Sequence, residues 1–337
     1  MKKFKISQLI ILVLMVAMIF VGCSTNVKEI DDNVEEVANE VSEEVVFKIG
    51  ISQLAEHPAL DDARKGFEDG LKELGMNVEI DYKNAQADVE NTISIAQKFV
   101  NDKTDLIYTI ATQAAQSAKQ VTSDIPIIFS AVTDPVVAEL VDSMESPGGN
   151  VTGTSDASPM DRQLQLFKDL DNSIEKVGII FNTSEPNSQV QIEMAKEIAL
   201  DLGIEIVEVG ISTINDIPQA VDSIIKRVDG IYTITDNMVA SAVNVVSEKA
   251  IKQNMITIGA EDSHVDGGIL MTDGISYYEL GKQSAKMAKE ILVDGKNPAN
   301  IPAAKSENTQ KAVNQQTLKA LGLDENHPAF ENAVKID

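Results

Sequence analysis

From Phe47 onward, short apolar runs alternate with amphipathic stretches whose apolar residues recur every three or four positions. The apolar runs span residues 47–51, 78–82, 106–110, 125–132 and 151–154, and the amphipathic stretches span 61–74, 89–101 and 113–121. Strands separated by helical patterns are typical of a parallel sheet with helices on both faces. The same order restarts after Pro159, with apolar runs at 177–181, 204–209, 230–234 and 255–258. The pattern therefore predicts an α/β fold with two doubly wound parallel sheets.

Two eight-residue segments, one in each half of this region, align without gaps. Residues 105–112 read DLIYTIAT and residues 229–236 read DGIYTITD, and an alanine- and serine-containing helical stretch follows each. A further apolar strand comes later in each half, at 126–131 and 255–260. Because the match falls in register within two β-α series, we expect two similar, Rossmann-like lobes.

The predicted binding site lies between these lobes. In an open parallel α/β sheet, ligands bind outside the carboxyl ends of the strands, where the loops lead into helix N-termini. Two such lobes that face each other form one cleft walled by both sets of loops. Polar residues occupy these positions after the predicted strands: Gln53, Thr112, Gln113, Thr133, Asp134, Ser155, Asp156, Asn182, Ser184, Glu185, Asp236 and Asn237.

These polar residues allow two interpretations. Taken singly, each could be a helix cap, because Ser, Thr, Asp and Asn are favoured at N-caps for backbone reasons alone. Taken together they suit a zwitterion, since helix N-termini and hydroxyls hold a carboxylate and an acidic side chain holds an ammonium group. We expect Asp236 at the ligand ammonium group, with Thr112 and Ser155 at its carboxylate. The alternatives for the ammonium group are Asp134, Asp156 and Glu185.

The composition argues against several other ligands. The formal net charge is −25 and no basic stripe is present, which excludes a nucleic-acid partner. Arg64, Arg162 and Arg227 are the three arginines and fall in or beside helical stretches, so a convergent arginine clamp for phosphate is not expected. With no tryptophan and 4% aromatic residues, the chain offers few rings on which a sugar could stack. An amino acid is therefore the better ligand.

Motifs for catalysis or metal binding are missing from the sequence. It contains no Gly-Lys-Ser/Thr phosphate loop, no His-Glu-x-x-His and no Gly-x-Ser-x-Gly. The histidines, His57, His264 and His327, are widely separated and lack the spacing of metal ligands. We therefore expect no enzymatic activity, no cofactor and no metal. Tyr277 either contacts the ligand where the chain crosses between lobes or packs the following helix against a sheet.

The N-terminus predicts export. Three lysines in residues 1–5 precede an apolar run over residues 6–21, which is typical of a signal peptide over residues 1–22 and is too short for a membrane span. Cys23, the only cysteine, follows directly, and the segment Phe-Val-Gly-Cys resembles a bacterial lipobox, in which the cysteine is lipidated. A buried core cysteine is the alternative. Residues 24–46 carry eight acids and one lysine, so we interpret residues 23–46 as a lipidated cysteine and an acidic tether.

Five segments together carry a resemblance to a known family. They are QLAEHPALD at 53–61, AVTDP at 131–135, PGGNVTG at 147–153, TDN at 235–237 and YYELG at 277–281. Together they resemble the tryptophan/tyrosine type of ABC-transporter substrate-binding lipoprotein, over residues 47 to 323. The resemblance implies a type I periplasmic-binding fold, an aromatic amino acid in the cleft, and an ABC permease with its ATPase as partners.

The resemblance also implies how the chain divides between the lobes. The N-lobe would contain residues 47–155 and about 275–300, and the C-lobe residues 156–274 and about 301–337. We expect a monomer that is held at the outside of the bacterial cell membrane by its lipid alone and closes on its ligand. The sequence leaves open whether tyrosine, tryptophan or phenylalanine is bound, and a surface adhesin is the alternative function.

Overall fold

The structure is a computed structural model that describes residues 45–306 and 309–337. The predicted signal peptide, Cys23 and most of the acidic tether lie outside the described residues. Within the described part of the chain, no helix has the length and apolar character that a membrane crossing requires.

Across residues 45–306 and 309–337, thirteen strands form two separate sheets. The first sheet has the order β11-β5-β4-β3-β1-β2 and the second the order β13-β12-β10-β9-β8-β6-β7. The strands are β1 Phe47–Gln53, β2 Val78–Asn84, β3 Leu106–Ile110, β4 Ile127–Ser130, β5 Val151–Ser155, β6 Lys176–Asn182, β7 Glu205–Ile211, β8 Gly230–Thr233, β9 Ile256–Glu261, β10 Met271–Ile275, β11 Ala304–Lys305, β12 Thr309–Asn314 and β13 Val334–Ile336. All pairs are parallel except β10 with β12.

Helices connect successive parallel strands, as crossover connections require. The helices are α1 Pro58–Glu73, α2 Val89–Asn101, α3 Thr112–Val121, α4 Met160–Leu170, α5 Pro186–Asp201, α6 Ile217–Ile224, α7 Asn237–Ala240, α8 Val243–Ile251, α9 Asp262–Asp266, α10 Tyr277–Leu292 and α11 Gln315–Ala320. This arrangement confirms the predicted fold class, two doubly wound α/β lobes.

Each sheet is buried on both faces. In the first sheet, Leu106 and Tyr108 point into a core formed with α1 and α10, whereas Ile107, which lies between them in β3, points into a second core on the opposite face. The second sheet likewise separates two apolar clusters. Near-continuous apolar strands are typical of a sheet covered on both faces, which explains why β3 is apolar at every position except Thr109.

Helix α10 follows the C-lobe strand β10 but packs against α1 in the N-lobe. Two glycines allow the two helices to touch. A Cβ on Gly66 would lie 1.9 Å from the carbonyl oxygen of Tyr278, and a Cβ on Gly281 would lie 2.1 Å from the carbonyl oxygen of Ala63. The backbones are therefore in contact, and Tyr277, the first residue of α10, is fixed beside the cleft.

The chain passes between the sheets three times. It leaves the first sheet after Ser155 and leaves the second sheet after Ile275. It passes a third time from β11 in the first sheet to β12 in the second, across residues 306–308, two of which lie outside the described residues. The resemblance implies that the chain from about residue 301 belongs to the C-lobe. In the structure, Ala304 and Lys305 pair with Thr154 and Ser155 in the first sheet.

Candidate functional site

The carboxyl ends of both sheets face one cleft, and side chains of the two lobes meet across it. Three interlobe hydrogen bonds join loops that follow strands of opposite sheets. They link Nε2 of His57 with Oδ1 of Asn237 at 3.2 Å, Nε2 of Gln113 with the carbonyl oxygen of Ser184 at 3.1 Å, and the hydroxyls of Thr133 and Thr235 at 3.3 Å. The lobes are therefore closed on each other.

Several buried polar atoms at these strand ends have no hydrogen-bond partner among the described residues. They are Oγ of Ser52, Oε1 of Gln53, Nδ1 of His57, Oγ1 of Thr112, Oδ1 of Asp156 and Oε2 of Glu261. Leaving a buried polar group unpaired costs about 1–3 kcal/mol, and more when the group is charged. Such atoms concentrated at the carboxyl ends of β1, β3, β5 and β9 mark the place where this fold is equipped to bind a polar molecule.

Asp156 and Tyr277 form the hinge side of this site. Asp156 directly follows β5, and its Oδ2 accepts a 2.5 Å hydrogen bond from the hydroxyl of Tyr277. Both side chains are buried. Burial raises the pKa of Asp156 to about 6, although the hydrogen bond from Tyr277 acts in the opposite direction. The second carboxylate oxygen of Asp156 stays unpaired.

Glu261 supplies a second buried carboxylate from the C-lobe. Its Oε1 accepts a hydrogen bond from the Ser263 hydroxyl at 3.0 Å and lies 3.0 Å from Nε2 of His264. Burial alone would raise the pKa of Glu261, but His264 and His57 bring it below its usual value. Glu261 is therefore an anion at neutral pH, and its Oε2 has no partner.

The start of α3 contributes backbone donors. Its N-cap, Ala111, has φ 85° and offers no side-chain cap to the first N–H groups of the helix. The first four N–H groups of an α-helix have no intrahelical partner. Thr112, the first residue of α3, adds a buried hydroxyl that is itself unpaired. This end of the cleft can therefore receive an anionic group.

Asp236, the residue expected at the ligand ammonium group, is engaged within the C-lobe. Its Oδ1 accepts from the N–H of Val239 at 2.9 Å, and its Oδ2 accepts from the N–H of Asn182 at 2.6 Å and the Ser188 hydroxyl at 2.7 Å. Burial and the neighbouring Glu185 raise the pKa of Asp236. These hydrogen bonds favour the interpretation of Asp236 as the N-cap of α7.

Two of the other acidic candidates, Glu185 and Asp134, are also paired. Glu185 accepts from the side chain of Asn182, from both nitrogens of Asn237 and from the N–H of Met238. Oδ1 of Asp134 accepts from the N–H groups of Val136 and Val137. The predicted residues of the C-lobe thus form one internal network, whereas Gln53, Thr112 and Asp156 keep free polar atoms.

A cavity of about 270 Å³, which we call the methionine cavity, lies beside Asp156 between the lobes. Thr133, Pro135, Val136 and Met144 line it from the N-lobe. Met160, Gln191 and Met194 line it from the C-lobe, and Ser155 and Lys305 line it from the crossovers. Thr133, Asp134 and Ser155 are the predicted site residues that border it.

His57 and Glu261 carry unpaired buried atoms of the site but are absent from the sequence-based candidates. Glu261 is the last residue of β9 and comes directly after the predicted apolar strand at 255–260, but the sequence-based candidates include no residue from this strand end. His57 precedes Pro58 at the start of α1, a helix-start signal that could have identified it.

The fold and this cleft define a type I periplasmic-binding protein, and comparisons with known proteins agree. The family model of the ABC transporter substrate binding protein matches residues 48–335. The chain belongs to this family, whose members bind solutes for ABC transporters outside the cytoplasm and are not enzymes. The "Tyrosine-binding protein" of Clostridioides difficile (strain R20291) is 42% identical over 326 residues, 96% of this chain and 93% of that protein.

Two solved structures are informative about conformation. A structure from Streptococcus pneumonia, described as the ABC domain in complex with L-Trp, has a TM-score of 0.82 at 31% identity and covers 87% of this chain and 100% of its own. A ligand-free, open substrate-binding protein with adhesive properties from Clostridium difficile has a TM-score of only 0.68 at 43% identity, covering 86% and 99%. The chain is thus closer in arrangement to the ligand-bound structure, despite its lower identity.

Proposed function

We propose that this substrate-binding protein captures an L-aromatic amino acid, tyrosine first, and delivers it to an ABC permease and its ATPase. The observation that carries the proposal is the group of buried, unpaired polar atoms at the hinge end of the cleft. The relatives named for tyrosine and solved with L-Trp support an aromatic amino acid. A zwitterion fits these atoms because they include both anionic acceptors and donors.

Asp156 and Glu261 are our candidates for the ligand ammonium group. Each is a fully buried carboxylate with one unpaired oxygen, and the two come from opposite sides of the cleft. Oε1 of Gln53 is a third acceptor, since its amide nitrogen already donates to Ala55 and Asp61. An ammonium group has three hydrogens to donate, so these acceptors match it.

The start of α3 is our candidate for the ligand carboxylate. Its uncapped N–H groups and the hydroxyl of Thr112 are donors, and the helix dipole favours negative charge at that position. Oγ of Ser52 lies at the end of the neighbouring strand β1 and provides a further hydroxyl. Because these groups belong to the N-lobe and Glu261 to the C-lobe, a bound zwitterion stabilises the closed form.

Membrane attachment belongs to the same proposal. Export with lipidation of Cys23 would hold the protein at the outer side of the cell membrane, and two acyl chains supply stable anchoring. We propose a monomer, because delivery to a permease needs one free cleft. Adhesion is a second candidate function, favoured by the relative described as having adhesive properties.

Calorimetry with purified protein tests the ligand. L-Tyrosine should bind and raise the melting temperature, because a ligand selective for the folded form stabilises it by about 2.7 kcal/mol at a hundredfold excess over Kd. Glucose, phosphate and succinate serve as controls and should leave the melting temperature unchanged. A larger stabilisation by any control than by tyrosine, tryptophan or phenylalanine would refute the ligand class. Adhesion is tested separately, by cell-surface binding that survives Asp156→Asn.

A further inference from the structure

The two flanks of the cleft differ in chemistry. The flank beside α1 and α10 carries the polar and charged groups, including His57, Asp156 and Glu261. The flank beside α4 and α5 carries the methionine cavity, whose apolar lining comes from Met144, Met160 and Met194 together with Pro135 and Val136. A zwitterion needs polar surroundings and an aromatic ring needs apolar ones, and the cleft provides a polar flank and an apolar flank.

The cavity adjoins the proposed zwitterion site along the chain. Ser155 and Ala157, which flank Asp156, both line it, and so does Thr133 from the loop after β4. Asp156 lies between two lining residues in the chain, so the proposed ammonium site and the cavity are neighbours.

The size and lining of the cavity suit a ring. A cavity of about 150 Å³ is enough for benzene, so 270 Å³ holds a phenol or an indole. Methionine is flexible and polarizable, fills irregular gaps, and makes favourable sulfur contacts with aromatic rings. Met160 comes from α4 and Met194 from α5, whereas Met144 comes from the N-lobe, so a ring between them contacts both lobes.

Gln191 and Ser155, two polar residues that line the cavity, are paired. Gln191 donates to the carbonyl oxygens of Asn187 and Thr235 and accepts from the N–H of Thr235. Ser155 donates to the carbonyl oxygen of Thr133 and accepts from the N–H of Ala157. The Lys305 ammonium group has neither a hydrogen bond nor an ion pair within residues 45–306 and 309–337, and it is exposed at the cavity.

We infer that the methionine cavity receives the aromatic side chain of the ligand. We also infer that the Lys305 ammonium group donates a hydrogen bond to the phenolic oxygen of a bound tyrosine. This inference rests on the proposed function and extends it to specificity. The methionines would accept the rings of phenylalanine, tyrosine and tryptophan alike. Lys305 would favour tyrosine over phenylalanine, because only tyrosine offers an oxygen to its ammonium group.

Calorimetric titration of three variants tests the inference. Met160→Ala with Met194→Ala should weaken both tyrosine and phenylalanine binding about tenfold, since sulfur–ring contacts and ring packing are lost. Met76→Ala, the same substitution on a half-buried methionine outside the cavity, should leave both affinities unchanged. Lys305→Met should weaken tyrosine about fivefold and leave phenylalanine unchanged.

The tyrosine-to-phenylalanine ratio separates ligand recognition from a merely structural effect, because a general defect in closure lowers both affinities together. An unchanged ratio in Lys305→Met, or methionine variants that bind tyrosine as the parent does, would overturn the inference while tyrosine binding by the parent still supports the proposed function. If the parent protein itself binds no aromatic amino acid, the proposed function fails, and this inference fails with it.

Discussion

Tyr277 donates a 2.5 Å hydrogen bond to Asp156, and the two residues belong to different crossovers between the lobes. Asp156 begins the passage out of the N-lobe sheet, whereas Tyr277 begins the helix that returns to the N-lobe. The hydrogen bond therefore joins two of the interlobe crossovers beside the Asp156 carboxylate, whose other oxygen is unpaired. Positioning of the proposed ammonium site depends on this pair.

Asp156→Asn should reduce tyrosine affinity at least about thirtyfold, because removing one partner of a buried charge pair typically costs about 2–5 kcal/mol. Calorimetric titration at neutral pH measures the effect. Asp236→Asn is the matched control, since Asn caps a helix about as well as Asp and affinity should be nearly unchanged. The reverse outcome, with Asp236→Asn losing affinity and Asp156→Asn retaining it, would move the ammonium site to Asp236.

Tyrosine affinity should fall as the pH is lowered through about 6. Burial raises the pKa of Asp156 to about 6, so its carboxylate is charged above that pH and protonated below it. The ligand ammonium group stays charged throughout. In Tyr277→Phe the pKa of Asp156 should rise further, because the hydrogen bond that favours the carboxylate is lost, and the affinity profile should shift to higher pH. Identical profiles for the two proteins would contradict this.

Thermal stability without ligand should increase as the pH falls from 8 to 5. Burial raises the pKa of Asp156 to about 6 and, together with Glu261, that of Asp262 to about 7, both far above the unfolded value near 3.9. The native state then binds more protons than the unfolded state, so unfolding becomes costlier as pH falls. His57 acts in the opposite direction, because burial lowers its pKa.

Scanning calorimetry measures this pH dependence. The expected gain between pH 8 and pH 5 is on the order of a few kcal/mol, or roughly 5 °C in melting temperature. Asp262→Asn should flatten the profile, since it removes one of the groups whose pKa is raised. A melting temperature that is highest at pH 8 would show that the raised pKa values do not dominate.

Gly66→Ala should destabilise the N-lobe by about 2–3 kcal/mol, because the new methyl group meets the Tyr278 carbonyl oxygen between α1 and α10. Gly149→Ala is the matched control, since a Cβ there has no neighbour within 4 Å. Denaturant unfolding measures both. Equal stability of the two variants would show that the helices can separate without cost.

Cys23→Ala should release the protein into the medium or leave it unprocessed in the membrane fraction. The lone cysteine directly after the apolar leader motivates this expectation. Fractionation and intact mass of the exported protein check it. Membrane attachment and mass that match the parent protein would rule out lipidation at this residue.

The alternation of apolar runs and amphipathic stretches was sufficient to predict nine strands of the two sheets. It failed for β10, β12 and β13. Strand β12 reads Thr-Gln-Lys-Ala-Val-Asn and is only partly apolar, because it is paired antiparallel beside β10 near the edge of its sheet. The two-residue strand β11 is held by its pairing with β5, a contact that no local pattern encodes.

The sequence predicts the candidate site from the positions of polar residues after strands, not from the hydrogen-bond partners of those residues. The rule that ligands bind at the carboxyl ends of strands directs attention to the loops carrying Gln53, Thr112 and Asp156, which keep unpaired buried polar atoms in the structure. It could not rank the acids, because a free carboxylate and a capping carboxylate have the same sequence signature. Asp236 and Asp156 differ only in what surrounds them, three internal donors in one case and a single tyrosine in the other.

The three passages between sheets also govern how the protein assembles during synthesis. Phe67 and Leu71 on α1 are covered by α10, which is made only after most of the C-lobe. The C-lobe in turn needs β12 and β13 from the extreme end of the chain. Neither lobe can complete its core before nearly all of residues 47–336 are available, so apolar faces of both lobes stay uncovered until synthesis of this region is almost finished.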